Sequence, residues 1–160
     1  KVALDLNIDK KTIQKTLPSL LFEGRFQYLN KGKVKNKLHK NEIIMIDGAH
    51  ATADAQNLAA YLKRVKIPKY GIWAMTKNKE PDLFIKQFKG IFTKVVTMPI
   101  ENELSSVSAG KLYRIAIKNK LKVEKSDNFI EALKKISSRE RKLIVCFGSL
   151  YNCGNILNKN

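Results

Sequence analysis

The clearest hydrophobic pattern is an unbroken apolar run that ends in polar residues and is followed by a helical repeat. Residues 43–46 read Ile-Ile-Met-Ile, and Asp47-Gly48 ends the run. A short continuous apolar run is typical of a strand buried on both faces. From residue 53 to 64, apolar residues recur at helical spacing and form one face, Ala55, Leu58, Ala59 and Leu62. This segment therefore predicts a strand, a turn and a helix, in that order.

The same alternation of strand and helix signals continues along the chain. Apolar runs predict further strands at residues 70–75, 92–97 and 142–146, and a short one near 121–123. Helical spacing predicts helices at 82–88, 109–120 and 128–136, and a last helical stretch that ends at Leu157. Strands that alternate with helices in this way imply right-handed crossover connections. The predicted fold is therefore α/β, a Rossmann-like, mostly parallel sheet with helices on both faces.

The first part of the chain departs from this alternation. Residues 1–20, with Ile13, Leu17 and Leu20 at helical spacing, are interpreted as the tail of a preceding domain or a linker. The lysine-rich stretch 27–40 is interpreted as a β-hairpin or a loop over the sheet edge. A chain of 160 residues with 44% apolar residues is sufficient for one core. We therefore expect a single α/β domain over residues 21–160.

Charge is the feature of the composition that bears most on function. The net charge is +17, which is a common property of nucleic-acid-binding proteins. Of the 31 basic residues, however, 26 are lysine and 5 arginine, whereas base recognition relies on the arginine fork. A genome biased towards A/T-rich codons, which include those for lysine, would produce the same basic surface. We therefore expect no specific nucleic-acid partner. Loose attraction of ATP and other polyanions remains expected.

Two cysteines and the lengths of the apolar runs indicate the compartment. Cys146 and Cys153 have six residues between them and fit neither a C-x-x-C site nor an extracellular disulfide framework. No apolar run approaches the length of a membrane span, and no signal-peptide pattern opens the chain. We therefore expect reduced thiols, no membrane partner and a cytoplasmic location.

The candidate site follows from the predicted topology, because ligands of parallel α/β sheets bind at the carboxyl ends of the strands. The segments at these ends are 47–50, 75–78, 98–101 and 148–149. Asp47 and His50 lie where a strand passes into a helix, with Gly48 allowing a ligand close to the backbone. The Asp47 carboxylate is suited to bind a ribose hydroxyl or a metal-bound water. The simpler alternative is an aspartate that bonds its own loop and a solvated histidine.

Two further residues are candidates because of their type and position. Arg25 is one of few arginines, and a guanidinium binds phosphate or carboxylate through two parallel hydrogen bonds where lysine acts as a point charge. Taken by itself, it is more often a surface residue in a turn. Ser149 follows the last predicted strand, so its hydroxyl is expected to face the same crevice as Asp47 and to suit a substrate carboxylate.

Several common sites are missing from the sequence. No G-x-x-x-x-G-K-[ST] phosphate loop occurs. There is no G-x-S-x-G elbow, and His39 is the only histidine besides His50, which argues against a serine-hydrolase triad. Two isolated histidines and two cysteines show no zinc-ligand spacing. We therefore assign no catalytic residue and no metal ligand.

Three motifs, in order, resemble one known family. They are Glu23-Gly-Arg-Phe-Gln27, then Ile46-Asp-Gly-Ala-His50 at a helix start, then Cys146-Phe-Gly-Ser-Leu-Tyr151 followed by Gly154. This order resembles the carboxy-terminal domain of folylpolyglutamate synthases and dihydrofolate synthases, members of the Mur ligase superfamily. Residues 100–109 and 131–133 also resemble family segments, so the resemblance covers nearly the whole chain. It implies that residues 21–160 form a Mur-ligase-type carboxy-terminal domain.

The resemblance implies a function and a division of labour. Members of the family are ATP-dependent ligases that add L-glutamate to folates through an acyl phosphate. It implies an amino-terminal P-loop ATPase domain as partner, which holds most of the ATP and the Mg²⁺. Carried over by motif position, Arg25 and Asp47 are implied ATP contacts, and His50 and Ser149 are implied glutamate contacts. The chain is then expected to be inactive alone, and to be a monomer.

The sequence departs from the family pattern at two places. Glu23 stands where the family has proline, and Ala51-Thr52 stand where it has Asn-Pro. Ala51 supplies no polar side chain, and Thr52 does not fix the first helical turn as proline does. Three alternatives stay open: a basic nucleic-acid-binding module, a non-functional remnant of a split gene, and a peptidoglycan-precursor ligase of the same superfamily.

Overall fold

The computed structural model describes residues 9, 11–12 and 22–160 of the chain. The interpretation of residues 1–20 as a tail, with Ile13, Leu17 and Leu20 at helical spacing, falls almost entirely outside the described residues. The predicted α/β domain, residues 21–160, is described at every position except its first.

Six strands and five α-helices alternate along this part. The strands are β1 Gln27–Tyr28, β2 Glu42–Asp47, β3 Lys69–Trp73, β4 Lys94–Thr97, β5 Val123–Lys125 and β6 Lys142–Phe147. The helices are α1 Thr52–Arg64, α2 Pro81–Lys86, α3 Ala109–Lys118, α4 Phe129–Ile136 and α5 Leu150–Lys159, with one 3₁₀ turn at Lys35–Lys37. Every predicted strand and helix from residue 43 onward is present.

The strands form one six-stranded sheet in the order β1-β2-β6-β3-β4-β5. Only β1 is antiparallel, and it pairs with β2 at the edge of the sheet. In the parallel part, Phe147 is in register with Asp47 on one side and with Trp73 on the other. The central strands therefore end at one level, which places the residues after them side by side.

Helices cover both faces of the sheet, as predicted. One core layer combines inward residues of the strands with α1, α2 and α3, and the predicted face of α1 is buried within it. The other layer combines the alternate strand residues with α4 and α5. Phe147 at the end of β6 packs against Phe84, Phe88 and Phe92 with ring centroids 4.9–5.9 Å apart. The carboxyl end of β6 is thus packed against a cluster of aromatic rings.

The lysine-rich stretch is a two-residue edge strand followed by a loop. After β1, the backbone passes through the 3₁₀ turn and returns to β2 at Glu42. Asn160 fixes this loop, because its carbonyl accepts from the Lys33 amide and its side-chain amide donates to the Lys31 carbonyl at 3.0 Å. Both alternatives of the prediction are therefore partly right: antiparallel pairing occurs, but most of the stretch is loop.

No helix in the part of the chain that the structure describes has the length and apolar character needed to cross a membrane.

Candidate ligand-binding site at the carboxyl end of the sheet

Asp47, the last residue of β2, joins the strand end to the loop before β1. Its carboxylate is almost completely buried; one oxygen accepts from the Ala49 amide at 2.7 Å and the other from the Phe26 amide at 2.8 Å. Burial raises the pKa of Asp47 above its ordinary value. The hydrogen bonds from the Phe26 and Ala49 amides and the charge of Arg25 oppose this effect in part. The alternative in which Asp47 bonds its own loop is therefore realised, and a ligand has little direct access to it in this arrangement.

Arg25 lies above Asp47, between two carboxylates. Its guanidinium is 3.8 Å from Asp47 Oδ1 and 3.7 Å from Asp54 Oδ2, and 35% of the side chain is exposed. The turn that places it there is unusual, since Gly24 and Phe26 both have positive φ, at 71° and 45°. Such a conformation is uncommon for a bulky residue such as phenylalanine. The backbone is thus bent so that an arginine fork stands over the strand end with one side open.

His50 has a defined tautomer. Its Nδ1 is 2.8 Å from the Gly48 carbonyl oxygen, and since a carbonyl only accepts, Nδ1 carries the proton. Nε2 is then the ring nitrogen that is available to accept a hydrogen bond from a ligand. The histidine is therefore not merely solvated, because its own turn orients it.

Ser149 caps no amide of the helix that it starts. It is the N-cap residue of α5 and is only 3% exposed, yet its side chain makes no capping hydrogen bond. It is held by Gly148, whose φ is +106° and whose missing Cβ would lie 2.3 Å from the Ala74 carbonyl oxygen and 2.8 Å from Trp73 Cδ1. The nearby Trp73 Nε1 is buried and has no partner among the described residues. This strand end thus has a serine that caps no helix amide and an indole N–H with no partner among the described residues.

His50 and Ser149 share a pocket of about 250 Å³. The other residues that line it are Thr76, Asn78, Lys79, Ser105, Leu150 and Tyr151. A second pocket of about 260 Å³ adjoins it, because His50, Asn78 and Lys79 line both. The two pockets therefore form one polar cleft, and among the described residues that line it the only acidic side chain is Glu80, at the outer end.

Arg25 faces a different groove. Together with Phe22, Phe26 and Tyr28 it lines a cavity of about 720 Å³ on the other side of the Asp47 turn. The four residues predicted from the sequence are thus all close to the end of β2, but on two sides of it. Arg25 and Asp47 form one pair, and His50 and Ser149 the other.

Sequence reasoning missed several side chains in or beside this cleft. Asp54 does not line the cleft but lies beside it, partly exposed on the first turn of α1, and its position three residues after the N-cap was the available signal. Lys79 directly follows the predicted segment 75–78, but a charge in a loop is usually only solvated. Ser105 has no sequence signal, because its place depends on the isolated bridge between Thr76 and Ser106.

One segment at a strand end does not reach the cleft. The Glu101 carboxylate bonds the Lys159 ammonium and accepts from the Phe129 amide, and its carbonyl accepts from Asn155 Nδ2 at 2.8 Å. Residues 98–101 therefore tie α4 to α5 on the opposite face. Within the described ranges there is no cluster of three or more His, Cys, Asp or Glu side chains placed to hold a metal ion.

Comparison with known proteins shows the family to which this chain belongs. Residues 28–159 match the family model described as dihydrofolate synthetase, C-terminal domain. Among curated proteins, none matches the chain significantly.

Solved structures with the same fold include three proteins from different bacteria. FolC of E. coli in complex with DHPP and ADP aligns over 95% of this chain with a TM-score of 0.74 and 15% identity. Folylpolyglutamate synthase of Mycobacterium tuberculosis, complexed with ADP and AMPPCP, aligns over 95% with a TM-score of 0.76 and 18% identity. The Thermotoga maritima folylpolyglutamate synthase aligns over 96% with a TM-score of 0.70 and 24% identity. The chain spans about a third of the length of these proteins, 34–35%.

Proposed function

Because the chain belongs to the family of dihydrofolate synthetase carboxy-terminal domains, we propose that it is the carboxy-terminal part of a ligase that adds L-glutamate to folates. Residues 21–160 are the domain in this proposal. An amino-terminal P-loop ATPase domain is the partner that completes the active site, and the 160 residues alone are inactive. The working protein is a cytoplasmic monomer.

The polar cleft supports a role in glutamate binding. A dicarboxylic amino acid needs donors for two carboxylates, and the cleft offers the Ser149 hydroxyl, the Asn78 amide and the Lys79 ammonium around His50. The Ser149 hydroxyl is suited to a carboxylate because no helix amide uses it. We assign glutamate binding to His50 and Ser149, with Lys79 as a further cation for the same ligand. This cluster around a serine that caps no helix amide is the observation that carries the proposal.

The other side of the Asp47 turn supports a nucleotide contact. Arg25 presents a partly open guanidinium, which fits a phosphate group, and its position is held by carboxylates on two sides. We assign ATP binding to Arg25 and Asp47. Since Asp47 is almost wholly buried, its part in the contact is mainly to hold Arg25 and the turn, through its bonds to Phe26 and Ala49.

The proposed chemistry divides between the two domains. ATP, bound with Mg²⁺ mainly by the amino-terminal domain, supplies a phosphoryl group that activates the folate carboxylate as an acyl phosphate. The residues described above bind and orient: Arg25 braces the nucleotide across the domain boundary, and the cleft holds glutamate with its amine directed at the acyl carbon. Positioning of this kind accounts for much of the rate in ligases, because it replaces a bimolecular encounter by an intramolecular one.

The test is glutamate incorporation by the chain with and without an amino-terminal ligase domain. ATP-dependent incorporation of labelled L-glutamate into dihydropteroate or tetrahydrofolate is expected only with both domains. In the two-domain protein, Ser149→Ala is expected to raise the KM for glutamate by about tenfold, the value of one charge-assisted hydrogen bond.

The matched control is Ser108→Ala, because Ser108 is also a helix N-cap but does cap, accepting from the Lys111 amide at 3.3 Å. Its loss should cost about 1 kcal/mol of stability without changing the KM. Incorporation by the 160 residues alone, or an unchanged KM in Ser149→Ala, contradicts the proposal.

A further inference from the structure

Helix α1 begins at a residue that has no side-chain acceptor. Its N-cap, Ala51, has extended backbone angles of φ −106° and ψ 161°, as an N-cap requires, but a methyl side chain. The backbone amides of His50 and Ala51, just before the helix, find their acceptor instead in a side chain of the first helical turn. Asp54 Oδ2 accepts from the His50 amide at 3.3 Å and from the Ala51 amide at 3.4 Å.

The same oxygen lies between the Arg25 guanidinium and the His50 imidazole. Asp54 Oδ2 is 3.7 Å from the Arg25 guanidinium and 3.9 Å from His50 Nδ1. All three side chains are partly exposed, at 35% for Arg25, 32% for Asp54 and 28% for His50. One carboxylate thus contacts both a residue of the loop before β1 and a residue of the turn after β2.

Helix α4 shows what a carboxylate at this helix position does elsewhere in the molecule. Glu131 is likewise the third residue of its helix, and it accepts from the Asp127 amide at 2.8 Å. There the N-cap Asn128 side chain also accepts from the Glu131 amide at 2.9 Å, so this helix start has the N-cap acceptor that α1 lacks. Glu131 is otherwise paired only with Lys135 of its own helix, at 3.0 Å, among the described residues. Asp54 therefore differs from a plain capping residue in the groups that it touches.

We propose that Asp54 is a positioning residue that holds Arg25 and His50 in a fixed relation across the end of β2. With alanine at the N-cap, the polar side chain that orders this turn comes from the first turn of the helix instead. One carboxylate then orders the helix start, the nucleotide-facing arginine and the glutamate-facing histidine together. The inference rests on the proposed function only in naming the ligands that Arg25 and His50 face.

The experiment uses the isotope-labelled 160-residue chain without ligand, so that its outcome does not depend on the proposed function. Asp54→Asn keeps an acceptor for the two amides but removes the charge, and Asp54→Ala removes both. The matched controls are Glu131→Gln and Glu131→Ala. The readouts are the melting temperature and the NMR signals of the Arg25 side-chain N–H and the His50 ring.

Asp54→Asn is expected to melt within about 2 °C of the parent chain, whereas Asp54→Ala melts about 3 °C lower because a cap is lost. Both variants are expected to move the Arg25 signal towards its position in an unstructured peptide, and to shift the His50 ring signals. The two Glu131 variants should leave both sets of signals unchanged. Signals of Arg25 and His50 that stay in place in Asp54→Asn would overturn the proposal and reduce Asp54 to a helix cap.

Asp54→Glu decides the matter if Asp54→Asn melts as low as Asp54→Ala. Glutamate keeps the charge on a longer arm, so Arg25 and His50 signals close to those of the parent chain support positioning. Signals that coincide with those of Asp54→Ala overturn it.

Discussion

The two ends of the β2–β6 pair differ in how completely their polar and charged groups are hydrogen-bonded. At the amino-terminal end, Glu42 is fully buried and accepts three hydrogen bonds of 2.8–2.9 Å, from the His39 and Ser138 amides and the Ser137 hydroxyl. Its register partner Lys142 is also buried, donates to the Ile136 carbonyl at 3.0 Å and lies 4.5 Å from the Tyr70 ring. Both buried charges there have found partners in the protein.

At the carboxyl end of the same two strands, the polar groups are only partly satisfied. The Arg25 guanidinium is 3.7–3.8 Å from its two carboxylates, the Ser149 hydroxyl caps no helix amide, and Trp73 Nε1 has no partner among the described residues. Phe26, with a φ of 45°, also has an uncommon backbone conformation here. An incompletely satisfied end costs stability, and this is the end at which we propose that a ligand supplies further partners.

The largest effect is expected where the charges are best satisfied. Glu42→Ala leaves two partly buried amides and a hydroxyl without an acceptor and the buried Lys142 without its register partner, and should lower the free energy of unfolding by about 3–5 kcal/mol. Urea unfolding of the 160-residue chain measures it. The neighbouring Glu140, which is 75% exposed, is the control, since Glu140→Ala should change stability by less than about 0.5 kcal/mol. A loss below about 1 kcal/mol in Glu42→Ala would mean that this end is not a stabilising lock.

The next effect concerns Gly148, at the carboxyl end of β6. Gly148→Ala introduces a Cβ within 2.3 Å of the Ala74 carbonyl at a φ of +106°, so we expect a loss of about 2–4 kcal/mol. Gly154 makes a sharp comparison, because it is inside α5 with no atom within 4 Å of its Cβ position. There, alanine should stabilise by about 0.5–1 kcal/mol. Thermal unfolding of both variants tests the pair, and equal effects would contradict the geometry of Gly148.

A smaller effect, with a definite sign, is expected from Asp47. Its pKa is raised in the folded state, mainly by burial, so the folded protein holds this proton more firmly than the unfolded chain does. The stability that this provides is complete below the ordinary value of 3.8 and is lost as the pH rises through the raised pKa.

Asp47→Asn removes this titration and one amide acceptor, at a cost of about 1 kcal/mol at low pH. The deficit relative to the parent chain should shrink as the pH rises from 3.8 towards neutrality. Urea midpoints of both proteins across this range are the measurement. A deficit that grows with pH would mean that the charges of Arg25 and the backbone amides, rather than burial, decide the pKa of Asp47.

The smallest effect is expected at the exposed arginine. Arg25→Ala should change the free energy of unfolding by less than about 1 kcal/mol, because ion pairs at this distance and exposure contribute little. Chemical denaturation measures the change, and Arg25→Lys separates charge from the fork. A large loss would identify Arg25 as a structural residue and remove the contrast between the two ends of the sheet.

The fold was predictable because its signals are local. The buried strand at β2 and the apolar face of α1 follow directly from periodicity. Errors occur at element ends: the strand predicted near 121–123 begins at Val123 because Lys120, at φ 61°, ends α3 and the Leu121 amide bonds back to Ala116. Such a stop depends on backbone geometry that no side-chain pattern specifies.

The site was less predictable because its contacts join distant segments. Asp47, His50 and Ser149 could be named from their positions after predicted strands. The role of Asp54 could not, since it depends on a loop 29 positions earlier folding over the helix start, as the contact with Arg25 shows. The place of Ser105 depends on a single bridge to the loop after β3. In general, strand ends locate a cleft, and only the three-dimensional arrangement specifies its walls.

The indole of Trp73, whose Nε1 has no partner among the described residues, has a practical consequence. Trp73 is the only tryptophan of the 160 residues, it is fully buried, and its ring edge lies against Gly148, next to Ser149. Indole fluorescence depends on the hydrogen bonds and electric field at the ring. The chain therefore contains a built-in optical probe beside the proposed glutamate pocket, and occupancy of that pocket can be followed by its emission without any attached label.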